Sequence, residues 1–298
     1  MKKIHKHTLL LDVPNIVSIN KYGVIDIKPG TVQAYRLACQ SFLKFLERDN
    51  IKFGKLSKKK IFKWSDRWLG EQSISVHTAN SYRRSLKAML RKCGREDLAE
   101  PIHQAKPPAR ESKAMSDENL AKALMYASVR DAAIIMFIRD SGARRGAVCS
   151  LRYENFRIWC GDSGDLRMAA KVWTKGDKYD LVLAGHQCAT AVNLWLSIRP
   201  VQSAEYLFTT SDGRPLHPQT LNSVFKRLRV QAKIPADENF FPHSLRHRFA
   251  QKMLDELDAK VVSQLMGHSK VSTTLDIYGH RDEESLINSY FSRNDKKV

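Results

Sequence analysis

Acidic residues are scarce in this chain: 31 Asp+Glu stand against 50 Lys+Arg in 298 residues, a formal net charge of +19. The deficit disfavours a metal site built from clustered carboxylates. It points instead to a polyanionic partner, with nucleic acid ahead of an anionic membrane. Cysteine is also sparse. Cys39, Cys93, Cys149, Cys160 and Cys188 are scattered, odd in number and without a CxxC pair. That argues against a disulfide framework or a zinc site, and for reduced thiols in a cytosolic setting. Long hydrophobic runs are missing. The apolar stretch behind the basic N-terminus, Leu9 to Leu11, is too short for a signal peptide, and no segment approaches the length of a membrane span. Glycine-rich phosphate loops, internal repeats and low-complexity tracts are absent too. The expectation is a soluble, cytoplasmic protein without membrane association, bound metal or other cofactor.

What is present is unevenly placed. Residues 1–114 hold 24 Lys+Arg against 10 Asp+Glu, and the remaining 184 residues hold 26 against 21. A basic N-terminal third on a nearly balanced remainder predicts a DNA-gripping module joined to something else.

The apolar spacing organises the chain. Residues 1–30 form an N-terminal extension without clear periodicity, with a short strand at Val24–Ile27. Residues 31–100 read as a helical domain: one helix capped by Thr31 and striped by Tyr35, Leu37, Phe42 and Leu46, a second opening after Ser57, and a third over Ser75–Leu90. The third helix carries Arg83, Arg84 and Lys87, followed by Arg91 and Lys92. These five are the candidate DNA-binding residues, because bases on short helices suit groove entry and phosphate contact. Residues 101–114, with Pro107-Pro108, read as a linker. Residues 115–298 form the second domain. A helix starts after Ser116, and a buried one spans Asp131–Asp140. Strands Leu166–Trp173 and Tyr179–Leu183 flank a turn at Lys175-Gly176-Asp177-Lys178, and helical patterns return at 187–198, 218–232, 244–257, 259–266 and 283–291.

The chemistry concentrates in the last quarter. Pro242 precedes His243-Ser244-Leu245-Arg246-His247, so a helix should start there with His243 and Arg246 on one face. Gly267-His268-Ser269 follows, and Tyr278 closes a Thr273-Thr274-Leu275-Asp276-Ile277-Tyr278 string. Arginine, histidines and tyrosine are the groups that attack a phosphodiester without a metal: one neutralises, one moves protons, one supplies the oxygen. His243 and His247 have the spacing of a helical zinc pair, but Ser244 stands where that motif needs Glu.

These strings resemble the HxxR…GH…Y signature of the tyrosine recombinases, the lambda-integrase and Xer-like phage integrase family. Ser141-Gly142-Ala143-Arg144-Arg145-Gly146-Ala147 resembles that family's TGxRxxEL box, with Ala147 in place of the usual acid. Thr174-Lys175-Gly176-Asp177-Lys178-Tyr179-Asp180 resembles its GKGxKxR hairpin, with Asp180 in place of the usual arginine. The resemblance implies six catalytic residues. Arg144 (with Arg145 its rival) and Arg246 bind phosphate, Lys175 (with Lys178 its rival) protonates the leaving 5′ oxygen, His243 is the base, His268 bonds the phosphate and Tyr278 is the nucleophile, with Tyr290 as a lesser candidate. His247 is assigned a structural part. The implied fold is mainly α: a small SAM-like core-binding domain and a larger helical catalytic domain with a short antiparallel sheet. The implied activity is metal- and ATP-independent site-specific recombination of double-stranded DNA by a homo-tetramer on two sites, monomeric when free. Accessory DNA-bending or directionality proteins, and a nucleoid association on DNA, belong to the same implication, as does a C-terminal tail bearing Leu286, Ile287, Tyr290 and Phe291 that docks on a neighbouring protomer. The departures at Ala147 and Asp180 favour a mobile-element integrase. A Xer-like resolvase, a type IB topoisomerase, a non-catalytic regulator and a metal-dependent nuclease are the alternatives.

Overall fold

A computed structural model describes residues 29–106, 115–173, 179–200, 205–268 and 270–279. The chain divides into two compact units, Met1–Arg110 and Glu111–Val298. The expected strand at Val24–Ile27, most of the linker, the Lys175–Lys178 turn and the tail after Gly279 lie outside the described residues.

In the first unit, α1 (Pro29–Arg48), α2 (Lys58–Gly70), α3 (Val76–Lys92) and the short α4 (Glu96–Ala99) surround one core. Helix α1 starts two residues before the expected Thr31 cap. Pro29 explains the difference: its fixed φ suits the first helical position, where no N–H is needed. Trp68 is the centre of this core. It meets Phe42 edge-on at 5.0 Å, stacks on Tyr82 at 5.6 Å, and its indole N–H donates to Ser41 Oγ at 3.1 Å. A buried aromatic of that size is tolerated because its one polar atom is satisfied. Ser75 caps α3 by accepting from Thr78 N–H, whereas Ser57 occupies the cap position of α2 without a side-chain bond.

The second unit is built round α6 (Val129–Ser141), which follows α5 (Asp117–Met125). Helix α6 has an apolar middle, with Ile134, Ile135 and Ile138 fully buried, and keeps its charged residues near its two ends. Its one buried acid, Asp131, pairs with Arg130 at 2.8 Å and Arg227 at 2.5 Å. After α7 (Arg145–Ser150) come β1 (Phe156–Cys160), β2 (Leu166–Trp173) and β3 (Tyr179–Ala184). They form an antiparallel sheet in the order β1-β2-β3, with Ile158 opposite Met168 and Ala170 opposite Val182. Helices α8 (His186–Ile198), α9 (Pro218–Gln231), α10 (Pro242–Glu256), α11 (Ala259–Leu265) and α12 (Val271–Tyr278) complete the unit. Strand β1 and helix α12 have no counterpart in the sequence reading. Strand β1 has no fully buried position to set a pattern, and α12 is too short for a helical stripe to stand out.

No helix among the described residues is long and apolar enough to cross a membrane.

Candidate active site

The site forms where the end of α6, the start of α7, strand β3 and helices α10 to α12 meet. Two glycines allow it. Gly142 ends α6 in the left-handed region at φ 60°, and a Cβ there would strike the Phe249 ring on α10. Gly267 follows α11 at φ 59°, and a Cβ there would strike the Asp180 carboxylate. Both positions need a residue without a side chain, for backbone angle and for space.

Arg246 lies at the centre and is only 3% exposed. Its guanidinium donates to the Gly142 carbonyl, to the Met266 carbonyl at 2.6 Å, and to His268 Nε2 at 3.1 Å. All three acceptors are uncharged groups, and the Met266 carbonyl belongs to the open C-terminal end of α11. Burial first, then the charge of Arg144, pulls Arg246 down to about 10. It therefore stays protonated at neutral pH. Arg144 is the residue before α7 and is half exposed. It donates to the Gly267 carbonyl at 3.1 Å, and its Nη1 lies 3.6 Å from Asp180 Oδ2.

Arginine has donors and no lone pair, so His268 Nε2 must be the acceptor and its proton must sit on Nδ1. That Nδ1–H donates to Thr274 Oγ1 at 2.8 Å. His268 is thus a neutral ring of fixed tautomer. Burial, Arg246 and Arg144 push it down to about 4.

Tyr278 is the last residue of α12 and is buried among Phe249, Ala250, Val262 and Met266. The His268 ring lies parallel to it at 6.0 Å, and the His247 ring meets it edge-on at 4.8 Å. His243 in turn meets His247 edge-on at 4.7 Å. His247, assigned a structural part from sequence, is therefore the histidine of α10 that touches the tyrosine, with His243 one turn behind. Burial, followed by His243 and Arg246, lowers His247 to about 4. His243 is lowered by partial burial and by Arg246, Arg144 and Arg145. A cavity of about 700 Å³ opens beside the arginines, lined in part by Arg145, Lys226, Arg229 and Phe241. Arg145, the rival of Arg144, turns instead to Asn222 Oδ1 at 2.8 Å.

Of the six candidate catalytic residues, the structure brings Arg144, His243, Arg246, His268 and Tyr278 together; Lys175 lies outside the described residues. Among the described residues, no cluster of His, Cys, Asp and Glu has the makeup of a metal site. Sequence reasoning missed Asp180, Thr274 and the Met266 and Gly267 carbonyls. Backbone acceptors leave no residue-type signal, and Asp180 registered only as a departure from a pattern.

Residues 114–285 match the phage integrase family, and residues 18–106 match the phage integrase SAM-like domain. The chain belongs to the phage integrase family. It is a tyrosine recombinase, an enzyme class that cleaves and rejoins DNA. Tyrosine recombinase XerD of Haemophilus influenzae is 27% identical over 289 residues, which cover 90% of this chain and 93% of that protein. In fold, the chain is similar to a XerH site-specific recombinase bound to palindromic difH substrate in a post-cleavage complex, with TM-score 0.73, 17% identity and 97% of both chains covered. A lambda integrase dimer bound to a COC′ core site is also similar, with TM-score 0.71, 17% identity and 93% of this chain and 79% of that chain covered.

In the SAM-like unit of this integrase-family chain, the candidate DNA-binding residues separate. Arg83 bonds Asp66 at 2.8 Å and Asn80 at 3.2 Å, Lys87 donates to the Ile102 carbonyl at 3.0 Å, and Arg91 pairs with Glu96 at 2.9 Å. Arg84 is exposed. The Lys92 side chain lies outside the described residues.

Proposed function

We infer that this protein is a site-specific DNA recombinase in which Tyr278 is the nucleophile. The observation that carries the reading is one cluster at the end of α12, in which Arg246 and a neutral histidine of fixed tautomer adjoin Tyr278 and Arg144 stands beside them on the Gly267 carbonyl. A phosphodiester entering the site meets Arg144 and Arg246, which neutralise its charge. The Tyr278 oxygen bonds to phosphorus and the bond from phosphorus to the 5′ oxygen breaks. The product is a 3′-phosphotyrosyl link and a free 5′ hydroxyl. The tyrosine proton leaves through the histidines of α10, His243 being the base and His247 its contact to Tyr278, and Lys175 protonates the departing oxygen. A 5′ hydroxyl of a partner strand then attacks the link and restores the tyrosine. Bond energy is conserved in the adduct, so no nucleotide cofactor is consumed.

Four protomers acting on two duplex sites, the SAM-like unit supplying much of the phosphate grip, and accessory DNA-bending or directionality proteins belong to this reading. The biological role we assign is mobile-element integration. The likeness to XerD over nine-tenths of both chains supports a second role, resolution of chromosome or plasmid dimers.

The test is a nicked suicide duplex carrying the recombination site recovered from DNA flanking the gene. Wild type should give an SDS-resistant protein–DNA adduct, and Tyr278→Phe should give none. An adduct that survives in Tyr278→Phe, or no wild-type adduct on DNA that the protein binds, overturns the reading. Strand exchange between two sites, against relaxation of one supercoiled plasmid, separates a recombinase from a topoisomerase.

A further inference from the structure

We propose that Asp180 is a positioning residue for strand cleavage: from strand β3 its carboxylate holds the Arg144 guanidinium in the orientation that receives the scissile phosphate. The inference rests on the recombinase reading above.

Three observations meet at this side chain. First, Asp180 Oδ2 lies 3.6 Å from Arg144 Nη1, while Arg144 Nη2 donates to the Gly267 carbonyl at 3.1 Å. Each terminal nitrogen of the guanidinium is thus held by a different element. An arginine carries five N–H groups, so donors remain for a phosphate. Second, the carboxylate lies against Gly267, in space that any side chain at that position would take. The left-handed turn after α11 therefore makes room for the carboxylate as well as presenting the carbonyls. Third, Asp180 is three-quarters enclosed, and its charge favours the protonated form of Arg246. It stands between the two arginines in effect, although it pairs with only one.

Nothing else described in the unit supplies this charge. Among the described residues, Arg144 pairs with no other carboxylate and Arg246 with none. Ala147, three residues along α7 from Arg144, is buried and has no polar atom to offer. The two departures from the family pattern are thus complementary. The acid missing from α7 is made up from the neighbouring strand, at the position where the pattern has a base. The separation of 3.6 Å is an ion pair without a hydrogen bond, which steers the fork and leaves it open to a stronger bidentate partner. A lysine or arginine at 180 would instead repel Arg144.

The test compares wild type, Asp180→Asn, Asp180→Ala and Asp180→Glu on the nicked suicide duplex, with DNA affinity measured separately. At saturating DNA, the single-turnover rate of adduct formation should fall about 10- to 100-fold in Asp180→Asn, because misplacing one phosphate ligand slows in-line attack by that order. DNA affinity should stay equal or tighten, since a negative charge near the phosphate is gone. Asp180→Glu should recover part of the rate. Thermal melting checks that the fold is kept, and Asp180→Ala gives the same reading should Asn disturb it. A wild-type rate, a faster rate, or a loss of affinity matching the loss of rate overturns the inference. If wild type itself gives no Tyr278-dependent adduct, the recombinase reading fails and this inference with it. If wild type does and the Asp180 variants match it, this inference alone fails.

Discussion

Arg83 in the SAM-like unit and Arg246 in the catalytic unit are both largely enclosed arginines on helices, yet they are enclosed differently. The Arg83 side chain is 12% exposed and its guanidinium faces the Asp66 carboxylate. Arg246 is more deeply buried and faces two carbonyls and an imidazole. An arginine bound to a carboxylate has most of its field cancelled on the spot. One bound to neutral dipoles is held just as firmly and keeps its charge for an incoming anion. The same contrast recurs across the SAM-like unit, where Arg48, Arg67, Arg91 and Arg95 all pair with Asp or Glu. Residues 1–114 remain the more basic part of the chain; the structure shows which of their arginines are matched with their few acids. Arg144 lies between the two extremes, with one carbonyl and one loosely held carboxylate.

The sharpest break of this comparison is the same substitution at both arginines. Arg246→Lys keeps the charge but loses the fork that reaches the Gly142 and Met266 carbonyls together. Adduct formation should drop about 100- to 1000-fold, the range for losing a preorganised donor. Arg83→Lys should leave the rate within about twofold, since its pair with Asp66 is structural. Equal losses in single-turnover assays would dissolve the distinction.

A smaller effect is expected from acid. His247 and His268 are both pushed from the ordinary 6.5 to about 4. Between those values the unfolded chain binds protons that the folded chain refuses. Stability therefore holds above pH 6.5, declines as pH falls toward 4, and levels off below. Denaturant melts at pH 7.5 and pH 5 measure the slope, and His268→Asn or His247→Asn should flatten it. An unchanged slope in both variants would mean that burial and the neighbouring charges do not hold these rings neutral in the folded chain.

The smallest effects belong to the SAM-like unit. Arg83→Ala and Asp66→Ala should each cost about 0.5–1 kcal/mol, with the double variant less than additive. Arg84→Ala should leave stability alone and lower the salt dependence of DNA binding by about one counterion. If Arg83→Ala changed the salt slope and Arg84→Ala did not, the assignment of paired and available bases would be reversed.

Much of the architecture was legible in order along the chain. The expected helices at 187–198, 218–232, 244–257 and 259–266 lie within two residues of the observed ones, because strong apolar periodicity and caps such as Pro242 act locally. The HxxR and GH strings were legible because their residue types are unusual together. Other features were not. Thr31 has the residue type of a cap, yet the helix starts two residues earlier at Pro29. The contact of His247 with Tyr278 is not legible, because a histidine beside an arginine says nothing about which face meets that tyrosine. The resting neighbours of Arg83 and Arg91 were invisible because Asp66 and Glu96 come from separate turns of the chain.

The order of its motifs was enough to place the chain in its family, and local apolar period with caps was enough to place most of its helices. Only the tertiary structure decided how each charge is met. Whether an arginine faces a carboxylate or a carbonyl depends on which distant backbone is brought against it. Here two left-handed glycines and the end of α11 made that choice. They leave Arg246 positive, fix the proton of His268 on Nδ1, and put Asp180 beside Arg144, 36 residues away in sequence.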